Sequence, residues 1–341
     1  VATMRLEEEG LMKAMGKATL QRLEQFNSQE LLKFLWSCDR CGCELSTELR
    51  ERVDEQRTLS YSFPSTATSG TLSGSLGQEE SGDAFAEAAS PSFTVLLDSK
   101  APGRQCKGTG VAFWEASFVL ADFLARNRSP AAVEELRPWL ETRIEQWETW
   151  EGLSGVELGA GLGLPSLVAC HVGMKRVVAT DGDTEVMELL EANKRKNSGT
   201  SDTSMLELKE LYWGKTTDPL AEIGMANSPP DVLLAADVVY GNDEGVWKSL
   251  VETMRLCASR DTLVLVAQVR RFEFAERTFL ELCSRRFEVL LLPLRLLHPD
   301  HQVTGPGSCS VYAMRLKESS GEAEENIGSG SDSDSDSDSD S

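Results

Sequence analysis

Three short stretches carry the residues best suited to chemistry. In the first, Val156-Glu157-Leu158-Gly159-Ala160-Gly161-Leu162-Gly163-Leu164-Pro165, an apolar run ends in glycines and then in a proline that suits a first helical turn. Glycines there let a ligand approach the backbone closely. A dinucleotide fingerprint, G-x-G-x-x-G, would need glycine at 164, where Leu164 stands, and this weakens the pyrophosphate reading. In the second stretch, Thr180-Asp181-Gly182-Asp183, Asp181 follows Gly159 by 22 residues. At that distance a carboxylate can accept hydrogen bonds from two ribose hydroxyls, of a nicotinamide or of a methionine nucleoside. Capping of a helix that begins near Glu185 is the structural alternative for Asp181 and Asp183. In the third, Ala236-Asp237-Val238-Val239-Tyr240, Asp237 and Tyr240 stand where a group that orients an acceptor and takes its proton belongs. Capping the next helix is the alternative for Asp237.

These stretches need a scaffold, and the hydrophobic pattern supplies one. From residue 155 strand-like and helix-like segments alternate: strands at 155–158, 176–180, 206–211, 232–237 and 263–269, with helices at 165–171, 185–197, 244–258 and 272–285. Such alternation predicts an α/β fold, a doubly wound Rossmann-like sheet with ligands at the carboxyl ends of its strands. Segments 287–292 and 310–315 have no helix between them and predict a terminal antiparallel strand pair. Upstream, 93–97 suits a strand, 110–124 a buried helix, and a polar helical stretch continues to Glu151.

The remaining chain differs in composition. Residues 1–58 read as a helical segment, 59–90 as a Ser/Thr/Gly/Ala-rich disordered linker, 91–317 as the catalytic domain, and 318–341 as a disordered acidic Ser-Asp tail. With 40% hydrophobic residues and no apolar run long enough for a bilayer, the 341-residue chain is expected not to enter a membrane. The absence of a visible leader predicts a cytoplasmic location, with nuclear or organellar placement open because the chain begins at Val1 and its true N-terminus is in question.

Charge narrows the partners. Against 34 lysines and arginines stand 55 acids, a net charge of −21. Nine of those acids follow Lys317 with no base among them, which leaves −12 for residues 1–317. An acidic body makes nucleic acid an unlikely partner and favours basic, lysine-bearing proteins. The eight cysteines are irregularly spaced, and the cluster Cys38, Cys41 and Cys43 has no second cysteine pair, so no metal is expected. His298-Pro299-Asp300-His301 reads as a surface turn or substrate lip, and Asn227-Ser228-Pro229-Pro230 as a turn.

Several motifs in order carry a resemblance: Gly110-x-x-x-Trp114-Glu115-Ala116, the Glu157 to Gly163 loop, Thr180-Asp181, Tyr212-Trp213-Gly214, and Ala236 to Tyr240. Residues 108–317 resemble the class I, seven-β-strand S-adenosylmethionine (SAM)-dependent methyltransferases of family 16, which include many protein-lysine methyltransferases. The resemblance implies a SAM cofactor. It implies Trp114, Gly159, Ala160 and Gly161 around the methionine end, Asp181 or Asp183 on the ribose, and Trp213 with Ala236 on the adenine. Trp114 and Trp213 as core aromatics are the alternative. Glu157 would organise the loop or lie near the ligand amine.

Methyl transfer requires a nucleophile held in line with the methyl and a route for its proton, and needs no metal. A lysine with a pKa of about 10.4 is almost wholly charged at neutral pH, so its site must favour the free amine. Asp237 and Tyr240 are the expected catalytic residues, Asp237 orienting the amine and accepting its proton, Tyr240 shaping the slot. The expected function is protein-lysine N-methylation. Methylation of histidine, a small molecule or RNA is the alternative within the same chemistry, and a non-catalytic interaction protein retaining the fold is the alternative outside it.

Overall fold

A computed structural model describes residues 58–64, 92–99, 109–127, 129–140, 147–199, 203–226, 228–271 and 273–318. The expected helical segment before residue 58, the cysteine cluster and the Ser-Asp tail lie outside the described residues.

Seven strands form the central sheet: β3 (Ser154–Leu158), β4 (Arg176–Asp181), β5 (Leu206–Glu210), β6 (Val232–Ala236), β7 (Leu263–Val269), β8 (Phe287–Leu291) and β9 (Cys309–Leu316). Their spatial order is β5-β4-β3-β6-β7-β9-β8. Strands β3 to β7 run parallel, and β9 pairs antiparallel with both β7 and β8. The chain therefore moves outward from β3 and returns to its other side at β6. This reversal opens a crevice at the carboxyl ends of β3 and β6, where α/β sheets bind ligands.

Both faces of the sheet are covered, which explains the uninterrupted apolar runs of its central strands. In β7, Leu263, Leu265, Ala267 and Val269 join one core cluster, and Val264 and Val266 the other. Helices α1 (Glu115–Arg126), α2 (Leu164–His171) and α3 (Thr184–Asn197) contribute to the first cluster. Helices α4 (Glu244–Cys257) and α5 (Glu273–Ser284) contribute Trp247, Leu250, Phe279 and Leu282 to the second.

Two segments depart from the sequence reading. The expected linker at 59–90 begins in a strand: β1 (Thr58–Pro64) pairs antiparallel with β2 (Ser92–Asp98), Tyr61 opposite Val95. Leu59 and Phe63 are buried while Ser60 and Ser62 face outward, a period of two that the serine-rich surroundings obscure. The expected helix from Gly110 begins instead at Glu115, because Trp114 is extended and its Nε1 donates to the Thr109 carbonyl at 2.9 Å. Residues 130–140 form two 3-10 turns and one α turn rather than a continuous polar helix, and Pro130 starts the first of these turns while Ser129 Oγ accepts from Ala132 N.

Candidate active site

A cavity of about 260 Å³ occupies the crevice at the carboxyl ends of β3 and β6. Trp114, Gly159, Ala160, Gly161, Asp181, Asp183, Trp213, Ala236, Asp237 and Tyr240 all line it. Of the expected site residues Glu157 alone is absent from the lining.

The glycine loop is built from left-handed backbone that only glycine adopts without strain: φ is +68° at Gly159 and +54° at Gly161. A Cβ on Gly159 would meet the Trp213 ring at 3.0 Å and Val238 at 3.1 Å. On Gly161 it would meet the Gly110 carbonyl at 3.1 Å. The loop therefore offers bare backbone to the cavity, with Trp213 on one side and the Thr109–Trp114 turn on the other. A flat ring beside Trp213 and a polar chain along glycine amides suit a nucleoside with an extended tail, so these residues fit SAM.

Asp181 ends β4. Its Oδ2 accepts from Gly161 N at 3.1 Å and its Oδ1 from Asp183 N at 3.1 Å. Burial lifts its carboxyl above the ordinary aspartate value despite these backbone donors. Asp183 accepts from Glu185 N at 2.9 Å and caps α3, so the capping alternative is realised at 183. At Asp237 it is not: the cap of α4 is Asp243, which accepts from Gly245 N.

Asp237 is the one described non-glycine residue with positive φ, at +58°, and its carboxylate is almost fully buried. Arg271 grips it with two charge-assisted bonds, Nη1 to Oδ1 at 2.5 Å and Nη2 to Oδ2 at 2.6 Å. Gln268 Nε2 adds a third at 3.1 Å, and its Oε1 accepts from Val239 N, fixing the turn that follows. The Arg271 guanidinium also stands 5.0 Å from the Trp114 ring, within cation–π range. Tyr240 is half exposed at the mouth, its phenol pushed above its ordinary value by partial burial and by the carboxylates of Asp181 and Asp183.

Glu157 points away from the cavity. Its Oε2 accepts from Ser166 N at 3.0 Å and from Ser166 Oγ, at the start of α2, while Oε1 is buried without a partner. Burial pushes its pKa up to about 8, against the opposing pull of the Ser166 bonds. It organises the loop from behind. His298 and His301 pack over Phe118 with ring centroids 5.5 and 5.7 Å away, and His301 Nδ1 lies 3.5 Å from Glu115.

Gln268, Arg271 and Phe113 are among the site residues not singled out from the sequence. No local signal marks the first two, since Gln268 and Arg271 reach Asp237 only because β7 lies beside β6.

A family model described as lysine methyltransferase matches residues 99–286. Over 182 residues the chain is 30% identical to the protein N-lysine methyltransferase METTL21A of Danio rerio, covering 53% of this chain and 70% of that one. It is 30% identical over 196 residues to the protein-lysine N-methyltransferase EFM3 of Chaetomium thermophilum, covering 56% of this chain and about half, 52%, of that one. With the protein-lysine methyltransferase METTL21E of Mus musculus the identity is 29% over 187 residues, 55% of this chain and 66% of the relative. Among the described residues no helix is long and apolar enough to cross a membrane.

Proposed function

The chain belongs to the lysine methyltransferase family, and from that premise we infer that it transfers a methyl group from SAM to a lysine side chain of another protein. The observation that carries this reading is the joint lining of one cavity by the glycine loop, Asp181, Trp213, the buried Asp237 and the half-exposed Tyr240.

Within that cavity Gly159, Ala160 and Gly161 would present their backbone to the methionine end, beside Trp114. Asp181 would accept from the ribose hydroxyls, with Asp183 close by. Trp213 and Ala236 would flank the adenine. Bound there, SAM supplies a methyl carbon made electrophilic by its sulfonium sulfur. Glu157 acts on this site only through Ser166 and the start of α2.

The acceptor lysine must arrive along the open side, past Tyr240, and must lose its proton. Asp237 is poorly suited to hold that proton, because both its oxygens already accept from Arg271. Its remaining lone pairs can still orient an amine. Arg271 cancels the charge of Asp237, so the carboxylate can orient the amine with little pull toward the ammonium form, the proton leaving to water at the mouth. The substrate is a basic protein surface, attracted by the acidic body of the enzyme.

Calorimetric titration of the full chain with SAM and, separately, with NAD tests the cofactor reading. Binding of SAM alone is expected. Binding of NAD in its place would overturn the reading of the glycine loop.

A further inference from the structure

The β1–β2 hairpin precedes the family-matched region, which begins at residue 99, yet it is joined to the cofactor cavity through two residues of α3. Asn193 and Asn197 are fully buried and lie one turn apart on one helix face. Their side-chain amides bond the backbone of β2 as a neighbouring strand would. Asn197 accepts from Leu96 N at 2.9 Å and donates to Leu96 O at 2.7 Å. Asn193 accepts from Asp98 N at 2.7 Å and donates to Asp98 O at 3.1 Å. The match is geometric: four helical residues rise about 6 Å and two strand residues about 6.8 Å.

Asn193 does one thing that Asn197 does not. Its Nδ2 also donates to the carbonyl of Leu162, at 3.1 Å, in the glycine loop. Leu162 lines the cavity and lies next to Gly161, whose N–H holds Asp181. The hairpin also meets a lining residue directly. The Tyr61 ring stacks on that of Phe113 at 4.9 Å and 20°, and Phe113 is a lining residue adjacent to Trp114.

We propose that Asn193 is a positioning residue for the cofactor, coupling the docked β1–β2 hairpin to the glycine loop so that hairpin docking and SAM binding strengthen one another. The coupling is reciprocal by linkage: whatever the hairpin contributes to SAM affinity, SAM returns to hairpin stability. Removing the Asn193 amide leaves the Leu162 carbonyl short of a buried donor and frees the loop to relax from its binding geometry. The inference rests on SAM being the ligand of the cavity.

The test compares Asn193→Ala with Asn197→Ala in the full chain, by SAM titration and by hydrogen exchange at Leu96 and Asp98 with and without SAM. Asn193→Ala is expected to raise the SAM Kd about tenfold, the scale of one buried hydrogen bond. Asn197→Ala, which loses the same kind of hairpin bonds but no bond to the glycine loop, should raise it only about threefold at a similar loss in melting temperature. In the wild type SAM should slow exchange at Leu96 and Asp98, and in Asn193→Ala this protection should disappear. If Asn193→Ala does not fold, Tyr61→Leu approaches the coupling from the hairpin side and should raise the SAM Kd several-fold. Equal weakening by Asn193→Ala and Asn197→Ala would reduce the effect to general destabilisation and overturn the proposal, as would unchanged affinity in Asn193→Ala and Tyr61→Leu. A wild-type chain that does not bind SAM would instead overturn the cofactor reading.

Discussion

The carboxylate of Asp237 and the guanidinium of Arg271 meet edge to edge, each carboxylate oxygen taking one N–H of the fork. The acid directly follows β6 and the base follows β7, so the pair joins the carboxyl ends of two adjacent strands beside the cavity. Bidentate geometry fixes direction as well as distance, and the left-handed backbone at Asp237 is held in place by this pair and by Gln268.

Breaking the pair from either side separates its two roles. Asp237→Asn should lower stability by about 2–3 kcal/mol, less than for a fully buried pair because Arg271 is one-third exposed. SAM affinity should stay within a few-fold while methyl transfer falls about 100-fold or more. Arg271→Lys keeps the charge without the fork and should cost less stability than Asp237→Asn while still lowering transfer. Thermal melts, SAM titration and single-turnover transfer assays check the three quantities, and full transfer by Asp237→Asn would remove Asp237 from the chemistry.

Gly159→Ala puts a methyl group where backbone now faces the cavity and forces a left-handed φ on a residue with a Cβ. The strain is about 1–2 kcal/mol, and the new atom would press on the Trp213 ring at 3.0 Å. The SAM Kd should rise about tenfold or more with only a small drop in melting temperature. A Kd equal to that of the wild type would take the loop out of cofactor binding.

Glu157 makes the stability depend on pH in a defined direction. Its pKa stands near 4.5 for the free group and is raised to about 8 in the fold, so the folded chain holds a proton that the unfolded chain releases. The contribution is fully present below about pH 4.5 and is lost progressively as pH rises through 8. Glu157→Gln removes this titration. Its melting temperature should fall less than that of the wild type between pH 6 and 9, and parallel curves would show that Glu157 does not titrate in this range.

Tyr61 buries its hydroxyl without a hydrogen-bond partner, and burial drives its pKa well above the ordinary phenol value. Tyr61→Phe keeps the stack on Phe113 and deletes the stranded oxygen. It should stabilise the fold by up to about 1 kcal/mol, read as a higher melting temperature, and a clear loss of stability would mean that the hydroxyl is satisfied in solution.

Much of this architecture could be read in the residues because it rests on local signals. Val232–Ala236 and Leu263–Val269 announce buried parallel strands by being apolar on both faces, and the Gly159–Gly163 loop announces a close backbone approach. Strand β1 was hidden for the opposite reason: its alternation of Leu59, Tyr61 and Phe63 sits in a stretch whose average composition is that of a linker. The partner of Asp237 was not legible at all. Arg271 lies 34 residues away, and only the adjacency of β6 and β7 brings the two together. Glu157 was legible in part: of its two readings, loop organiser and neighbour of the ligand amine, its contact with Ser166 fits the first.

Transfer of a methyl group from SAM to lysine is tested most directly by following the methyl group itself. The full chain, wild type and Asp237→Ala, is incubated with methyl-labelled SAM and a lysine-rich protein extract, and the labelled protein is hydrolysed to amino acids. Label in methylated lysine with the wild type and its near absence with Asp237→Ala is the expected result. Label in methylhistidine instead, or no transfer by a chain that binds SAM, would contradict it.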